Sequence, residues 1–238
     1  MVSKIQFGDI VADVVHKDIK NIHLSVYPPS GAVRISAPLR MDLDTIRVFA
    51  LSKLSWIRKQ QKKLRDQVRE TPREYLDQES HYLWGKRYLL KVVEKDAAPG
   101  LRLNHSEIVL QVRTGADTGK RRSVLHEWYR QQLKEAMSPL VGKWEKKLGV
   151  AVARVIVQKM KTKWGSCNPD SGIIRLNLEL AKKPPECLEY IVVHELMHLI
   201  EPTHNSRFIT LLDQHLPKWK FYREELNRLP VKHEDWDY

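Results

Sequence analysis

The chain has 238 residues, of which 42% are hydrophobic and 29% are charged, and its formal net charge is +12. This length and composition allow a sizeable core in one large or two small domains, and they exclude a disordered polymer. No stretch approaches the roughly 20 apolar residues of a transmembrane helix, and residues 1–18 lack the unbroken apolar run of a signal peptide.

The number of cysteines indicates the cellular compartment, and the net charge indicates the class of binding partner. Two cysteines, Cys167 and Cys187, are too few for a disulfide framework, so we expect a cytoplasmic protein. The excess of positive charge favours polyanionic partners, so DNA or RNA contact through a basic surface is one expectation; the alternative is a basic protein that binds no nucleic acid. We expect no membrane partner, and the sequence does not define an oligomeric state.

The first part of the chain has the residue alternation of β-strands. Residues alternate over 9–15, 22–37, 88–94 and 107–113. A turn is expected at 28–31 within the second segment, and a loop with Pro99 and Gly100 separates the last two segments. Between the second and third segments, Asp42 or Asp44 is expected to cap a helix that runs to about Arg69. The sequence therefore predicts a β-rich N-terminal region over residues 1–115, which is a candidate substrate-binding region.

The second part is predicted to be helix-rich around a short sheet. A long helix from Thr118 to Leu148 is expected to bend near Pro139. Strands are predicted at 153–158 and 173–178, and helices at 186–200, 205–215 and 218–228. The fold class is therefore α+β, with a second domain over residues 116–238. An N-terminal sheet packed onto the C-terminal unit would give the same pattern.

Residues 190–208, YIVVHELMHLIEPTHNSRF, contain the pattern that carries chemistry. His194 and His198 are four residues apart, so on a helix both imidazoles project from one face. Two neutral imidazoles at this spacing chelate one zinc ion at about 2.0–2.1 Å. Glu195 lies beside the first histidine and can reach a metal-bound water, which makes it the candidate general base of an H-E-x-x-H site.

His204 is the candidate third ligand. A catalytic zinc usually has three protein ligands, and His204 follows His198 at the interval of the longer H-E-x-x-H-x-x-G-x-x-H pattern. Glu201 replaces the glycine of that pattern, and Pro202 offers another way to turn the chain back. Glu201 is a weaker candidate ligand, because it would continue the helix. The all-imidazole set favours Zn²⁺ over iron or manganese; the alternative is a histidine pair satisfied by ordinary hydrogen bonds.

The segment before this pattern offers candidate substrate-binding residues. Lys159, Lys161 and Lys163 alternate, so they would share one face of a strand. Trp164, Gly165 and Ser166 would then form part of a cleft floor. An edge strand beside an active-site helix can receive an extended substrate by strand addition. The alternative is that Trp164 belongs to the core and the lysines form a solvated face, while Cys167 is expected to be a small buried side chain.

These motifs resemble a known family. The segments MKTKWGSCNPDSGIIRLNLEL and YIVVHELMHLIEPTHNSRF are similar to those of the YgjP-like metallopeptidase family, a relative of the SprT/Spartan-type zincins. The resemblance implies a zincin-like C-terminal unit, with an active-site helix against a short sheet and a β-rich N-terminal part. It also implies that His194, His198 and His204 bind zinc and that Glu195 is the catalytic base. The substrate is not implied, and proteolysis near DNA is an analogy with the Spartan-type proteases.

Three functions are compatible with the sequence. The first is a zinc-dependent metallohydrolase, most simply a metallopeptidase in which Lys163, Ser166 or a backbone N–H stabilises the tetrahedral intermediate. The second is a metal-dependent nucleoside triphosphate pyrophosphohydrolase, in which the three lysines and Arg175 hold the phosphates. The third is a nucleic-acid-binding module with structural zinc, which ranks last because structural sites normally have four protein ligands.

Overall fold

The computed structural model describes residues 2–27, 30–66, 69–70, 73–160, 163–228 and 231–232. The chain forms two compact units, of which the first is Met1–Pro72 with Pro230–Tyr238 and the second is Arg73–Leu229. Both units combine sheets with helices, so the α+β class predicted from the sequence is confirmed. No helix in the described ranges is both long and apolar enough to cross a membrane.

The first unit is a four-stranded mixed sheet covered by helices. Its strands are β1 (Val2–Phe7), β2 (Ile10–Lys17), β3 (His23–Tyr27) and β4 (Ala32–Pro38), in the order β1-β2-β4-β3. The two central strands are parallel and the outer pairs are antiparallel. Helices α1 (Leu43–Ser52) and α2 (Leu54–Asp66) follow, and the short strands β5 (Arg69–Glu70) and β13 (Val231–Lys232) pair with each other.

Asp42 is the helix cap of this unit, as its oxygen accepts a hydrogen bond from the Thr45 backbone N–H at 2.8 Å. The single helix predicted to reach Arg69 is instead two helices, because the chain leaves helical geometry at Lys53. Ile46 and Ile57 are fully buried and join the apolar side chains of the sheet in one core. The apolar spacing therefore predicted the buried face, but it did not predict the break.

The second unit begins with another four-stranded sheet. Its strands are β6 (Ser80–Leu83), β7 (Lys86–Glu94), β8 (Gly100–Leu103) and β9 (Glu107–Val112). Their order, β6-β7-β9-β8, and their directions repeat those of the first sheet, with a parallel pair at the centre. Trp84 and Gly85 both have positive φ and form the tight turn between β6 and β7. Gly100, expected in a loop, begins β8.

The long helix α3 (Thr118–Leu148) packs on this sheet, and its bounds are those predicted. Asp117 caps its start, and Gly149 in the left-handed conformation ends it. The helix continues through Pro139. Tyr129 is buried in the core that the sheet shares with the rest of the second unit. The domain boundary predicted near residue 115 therefore falls inside this unit, because the β6–β9 sheet and α3 share one core.

The remaining elements surround a three-stranded sheet. β10 (Arg154–Gln158) and β11 (Gly165–Asn168) lie on either side of β12 (Ile173–Asn177), parallel and antiparallel to it respectively. A 3-10 helix (Leu178–Lys182) leads to α4 (Pro185–Met197), α5 (Ser206–His215) and α6 (Trp219–Arg228). Helix α4 packs against β11 and β12, against α3 and against α6. An apolar helix thus lies against a short sheet, as predicted for the C-terminal part.

Candidate metal centre and cleft

Helix α4 is a rigid support for its polar residues. Pro185 occupies the first turn, where a missing backbone N–H costs no hydrogen bond. From Cys187 to Met197 nearly every residue is buried, and only Glu189 and His194 are not. Because packing fixes this helix on several sides, the side chains that project from its remaining face are held in place.

Three histidines converge at the end of α4. His194 and His198 come from the helix, and His204 comes from the segment between α4 and α5. Their ring centroids are 4.6–5.0 Å apart, and the three ligand nitrogens lie within 4.8 Å of one another. The Nε2 atoms of His194 and His204 are only 2.9 Å apart. The structure thus brings together the three residues that the sequence predicted as metal ligands.

The return of the chain to His204 is built from short-range contacts. The N–H groups of Leu199, Ile200 and Glu201 donate to carbonyls of the last turn of α4, which closes the helix. Pro202 follows, and Asn205 then caps α5 through the Phe208 N–H at 3.0 Å. The Glu201 carboxylate accepts a hydrogen bond from Thr203 at 3.1 Å and is not part of the histidine cluster.

The protonation of the histidines suits metal binding. His198 Nδ1 lies 3.2 Å from the Glu201 carbonyl, which can only accept, so Nδ1 carries the proton and Nε2 is a free acceptor. Burial, assisted by the other two histidines, lowers the pKa of His194 to about 3, so this imidazole is neutral at neutral pH. Burial also lowers the pKa of His198.

The separation of the donor nitrogens matches what a zinc ion requires. Zinc–nitrogen bonds of about 2.0–2.1 Å in a tetrahedron place ligand nitrogens about 3.3 Å apart. The ligand nitrogens of the three histidines lie within 4.8 Å of one another, which spans this separation. The three histidines therefore fit a zinc ion in geometry, and the lowered pKa values of His194 and His198 favour the neutral form that a metal ligand requires.

Phe208 forms an apolar floor beneath the histidines. It is fully buried, and its ring centroid lies 4.8–5.0 Å from all three imidazole rings. Asn205 sets its position, because the cap begins α5 immediately after His204. Sequence reasoning missed Phe208, and its only signal was an aromatic residue four positions after the third histidine.

Glu195 points toward the cleft from a buried position. It is 4% exposed, and burial raises the pKa of its carboxyl to about 8, while the nearby Lys163 acts in the opposite direction. Gly165 of β11 lies directly against it: a Cβ built on Gly165 would be 2.5 Å from Glu195 Oε1 and 2.8 Å from Cγ. A side chain at residue 165 would thus collide with the carboxylate, which explains why glycine occurs there.

A cleft of about 500 Å³ opens in front of the histidines. Four of the five predicted substrate-binding residues line this cleft: Lys163, Trp164, Gly165 and Ser166. Lys161, the fifth, lies outside the described residues. The expected strand with alternating lysines is not formed at Lys159 and Lys163, because β10 ends at Gln158 and the next strand begins at Gly165. Trp164 is half-buried, packs against the core and also lines the cleft.

Two further residues line the cleft: Tyr190, which the sequence did not suggest, and Cys167, which is less buried than expected. Tyr190 lines the cleft one turn before His194 on α4, is 4% exposed and stacks on Trp219 with ring centroids 6.4 Å apart. Cys167, expected to be buried, is half-buried and lines the cleft. Burial and then the Glu195 charge raise the pKa of this thiol to about 11, so it is protonated at neutral pH. Its signal in the sequence was only its place beside Gly165 and Ser166.

The three-histidine cluster could hold a metal ion, and the family model that matches the chain places it among the metallohydrolases. Its family is defined by sequence: the chain belongs to the YgjP-like family, described as a metallopeptidase domain, whose model matches residues 20–229. A search of curated proteins gave no match.

Two solved structures are similar to part of the chain. The metallopeptidase zymogen abylysin of Pyrococcus abyssi is 23% identical, with a TM-score of 0.33, over 43% of this chain and 99% of its own. The metallopeptidase zymogen jannalysin of Methanocaldococcus jannaschii is 19% identical, with a TM-score of 0.31, over 41% of this chain and 92% of its own.

Proposed function

We propose that the chain is a zinc-dependent peptidase, with His194, His198 and His204 as the metal ligands and Glu195 as the general base. The observation that carries the proposal is the convergence of three imidazoles beside a buried carboxylate at the wall of a cleft. Membership of a metallopeptidase family supports a peptide as the substrate class.

The ligand set supports zinc. Three imidazoles leave a fourth position of a tetrahedron open, which is typical of catalytic sites. When bound, zinc supplies Lewis acidity and lowers the pKa of a coordinated water toward about 7. The Glu201 carbonyl supports this assignment, because by accepting from Nδ1 it directs His198 Nε2 toward the other two imidazoles.

Glu195 is placed to move protons. Its buried carboxyl has a pKa raised to about 8, so it has appreciable affinity for a proton near neutral pH. In the proposed reaction the carboxylate takes a proton from the attacking water and later gives it to the departing amine. Lys163 limits this rise of the pKa, and the positive charge of a bound metal ion would lower it further, so that the carboxylate would be ionised before the reaction.

The cleft wall supports an extended peptide. In the described part of the chain, β11 pairs with β12 along one edge only, so its other edge can accept a further strand. Gly165 and Ser166 of this strand line the cleft beside Glu195. A peptide added to β11 by strand pairing would run past the histidines with its carbonyl groups directed by backbone hydrogen bonds.

The test replaces the carboxylate and preserves its shape. Glu195→Gln is expected to lower hydrolysis of an unfolded protein or peptide library by at least about 100-fold, the lower end of what a general base contributes, with zinc content unchanged. Glu201→Gln is the matched control, because its carboxylate contacts Thr203 outside the histidine cluster, and it should keep most of the activity. Undiminished turnover in Glu195→Gln would refute the general-base role. Release of pyrophosphate from nucleotides without peptide cleavage would favour the pyrophosphohydrolase.

A further inference from the structure

Asn177 lies where the third sheet meets the cleft wall. It is the last residue of β12, opposite Gln158 at the end of β10, and its neighbour Leu176 is opposite Gly165 at the start of β11. The described residues of the connection from β10 to β11 that lie beside Asn177, at the end of β12, are Met160, Lys163 and Trp164. This connection carries Lys163 and Trp164 into the cleft wall and ends at Gly165.

The Asn177 side chain is 5% exposed and fully engaged. Its Nδ2 donates to the Met160 carbonyl at 2.9 Å and to the Lys163 carbonyl at 2.8 Å. Its Oδ1 accepts from the Met160 N–H at 3.4 Å and from the Glu179 N–H, in the 3-10 helix, at 3.2 Å. One carboxamide thus ties both ends of the connection to the 3-10 helix.

Two further contacts join the same elements. The backbone N–H of Asn177 donates to the Trp164 carbonyl at 2.9 Å. Lys183, which is 5% exposed and follows the 3-10 helix, holds its ammonium 5.7 Å from the centre of the Trp164 ring. The turn at Trp84 and Gly85 donates to the carbonyls of Ala181 and Lys182 from the other side. The 3-10 helix is therefore fixed independently of the cleft.

These contacts help to set the distance between Gly165 and the Glu195 carboxylate. Gly165, the first residue after the connection, lies so close to Glu195 that even a methyl group would not fit between them. A shift of the connection by a fraction of an ångström would therefore change the space available to the Glu195 carboxylate. Misplacement of reacting groups by about 1 Å costs about 100-fold in rate.

We propose that Asn177 is a positioning residue of the active site, whose carboxamide holds the β10–β11 connection so that the cleft wall fixes the Glu195 carboxylate. This inference rests on the proposed peptidase function. It requires that the amide N–H donors matter, since an aspartate of the same shape would keep the acceptor for Glu179 and lose both bonds to the Met160 and Lys163 carbonyls.

The experiment compares Asn177→Asp and the milder Asn177→Ser with wild type, all as zinc-loaded full-length protein. Asn168→Asp is the matched control, because Asn168 is exposed at the far end of β11, its Oδ1 accepts from Ser171 and it does not line the cleft. Hydrogen exchange is followed by mass spectrometry for peptides over residues 158–166 and over α4. Peptide hydrolysis is measured in parallel, with zinc content as a check.

We expect exchange over 158–166 to accelerate about tenfold in Asn177→Asp, since two hydrogen bonds are lost, while α4 stays protected. We also expect kcat to fall about 10- to 100-fold with little change in KM and full zinc content. Unchanged exchange over 158–166, acceleration spread through the whole second unit, or a local acceleration with wild-type kcat would each overturn the proposal. A wild-type protein without peptidase activity would overturn the proposed function instead, and local exchange alone would then decide whether Asn177 holds the connection.

Discussion

Replacing Gly165 with alanine inserts a methyl group into the contact between β11 and the Glu195 carboxylate. The new Cβ would lie 2.5 Å from Oε1, whereas ordinary van der Waals contact begins at 3.4 Å. Because φ at Gly165 is outside the left-handed region, alanine is allowed by the backbone and the contact alone is perturbed. The carboxylate or the strand must then move by about 1 Å, the difference between these two distances.

A displacement of this size at a general base is expected to lower kcat about 100-fold. Zinc binding should be unchanged, because the atoms nearest to the added Cβ all belong to Glu195 and not to a histidine. The assay is peptide hydrolysis with zinc content measured on the same samples. Gly100→Ala is the matched control: Gly100 also begins a strand, and an added Cβ would meet nothing within 4 Å. Wild-type kcat in a zinc-loaded Gly165→Ala protein would refute the reasoning that β11 positions Glu195.

Two further predictions concern the histidine floor and a charged contact of α4. Phe208→Leu keeps an apolar side chain but removes the ring beneath the three imidazoles, so zinc affinity measured by chelator competition should fall about tenfold, and an unchanged affinity would contradict that role. Burial raises the pKa of Glu189, but hydrogen bonds from Lys143 at 2.8 Å and Trp144 at 2.9 Å outweigh it and leave that pKa below its usual value. The ionised form therefore stabilises the fold above the usual glutamate pKa, and this contribution is lost as the pH falls through the lowered value. Glu189→Gln should accordingly reduce the free energy of unfolding by about 1 kcal/mol at neutral pH, after discounting for the exposed Lys143. In urea titrations that difference should shrink in acid, and a constant difference at every pH would contradict the assignment.

The long helices could be predicted because their signals are local. The bounds of α3 follow from Asp117 at its start and Gly149 at its end, and α5 and α6 begin within one residue of their predicted positions. The short strands β6 and β8 were missed, and the edge strand expected among the alternating lysines is β11, which begins only at Gly165. Each of these strands has four residues, so its pairing depends on distant partners and not on its own alternation.

In the candidate site, too, contacts between residues close in sequence could be predicted, and contacts between distant residues could not. His194, Glu195 and His198 are close in sequence, so helical geometry alone brings them together. The contact between Gly165 and Glu195 joins residues thirty positions apart and depends on the register of β11 and β12. The role of Asn177 depends on its hydrogen bonds to the carbonyls of Met160 and Lys163, which are 17 and 14 residues away in the sequence. The sequence pattern alone carried no information about either contact.

The zinc content of the purified protein, compared with that of His204→Ala, tests the central claim most directly. His105→Ala is the control, since His105 is exposed and outside the histidine cluster. We expect about one zinc ion per chain in wild type and in His105→Ala, as three protein ligands to a single ion require, and a sharp loss in His204→Ala. Full zinc retention in His204→Ala, or no zinc in wild type after zinc is supplied, would contradict the three-histidine metal centre.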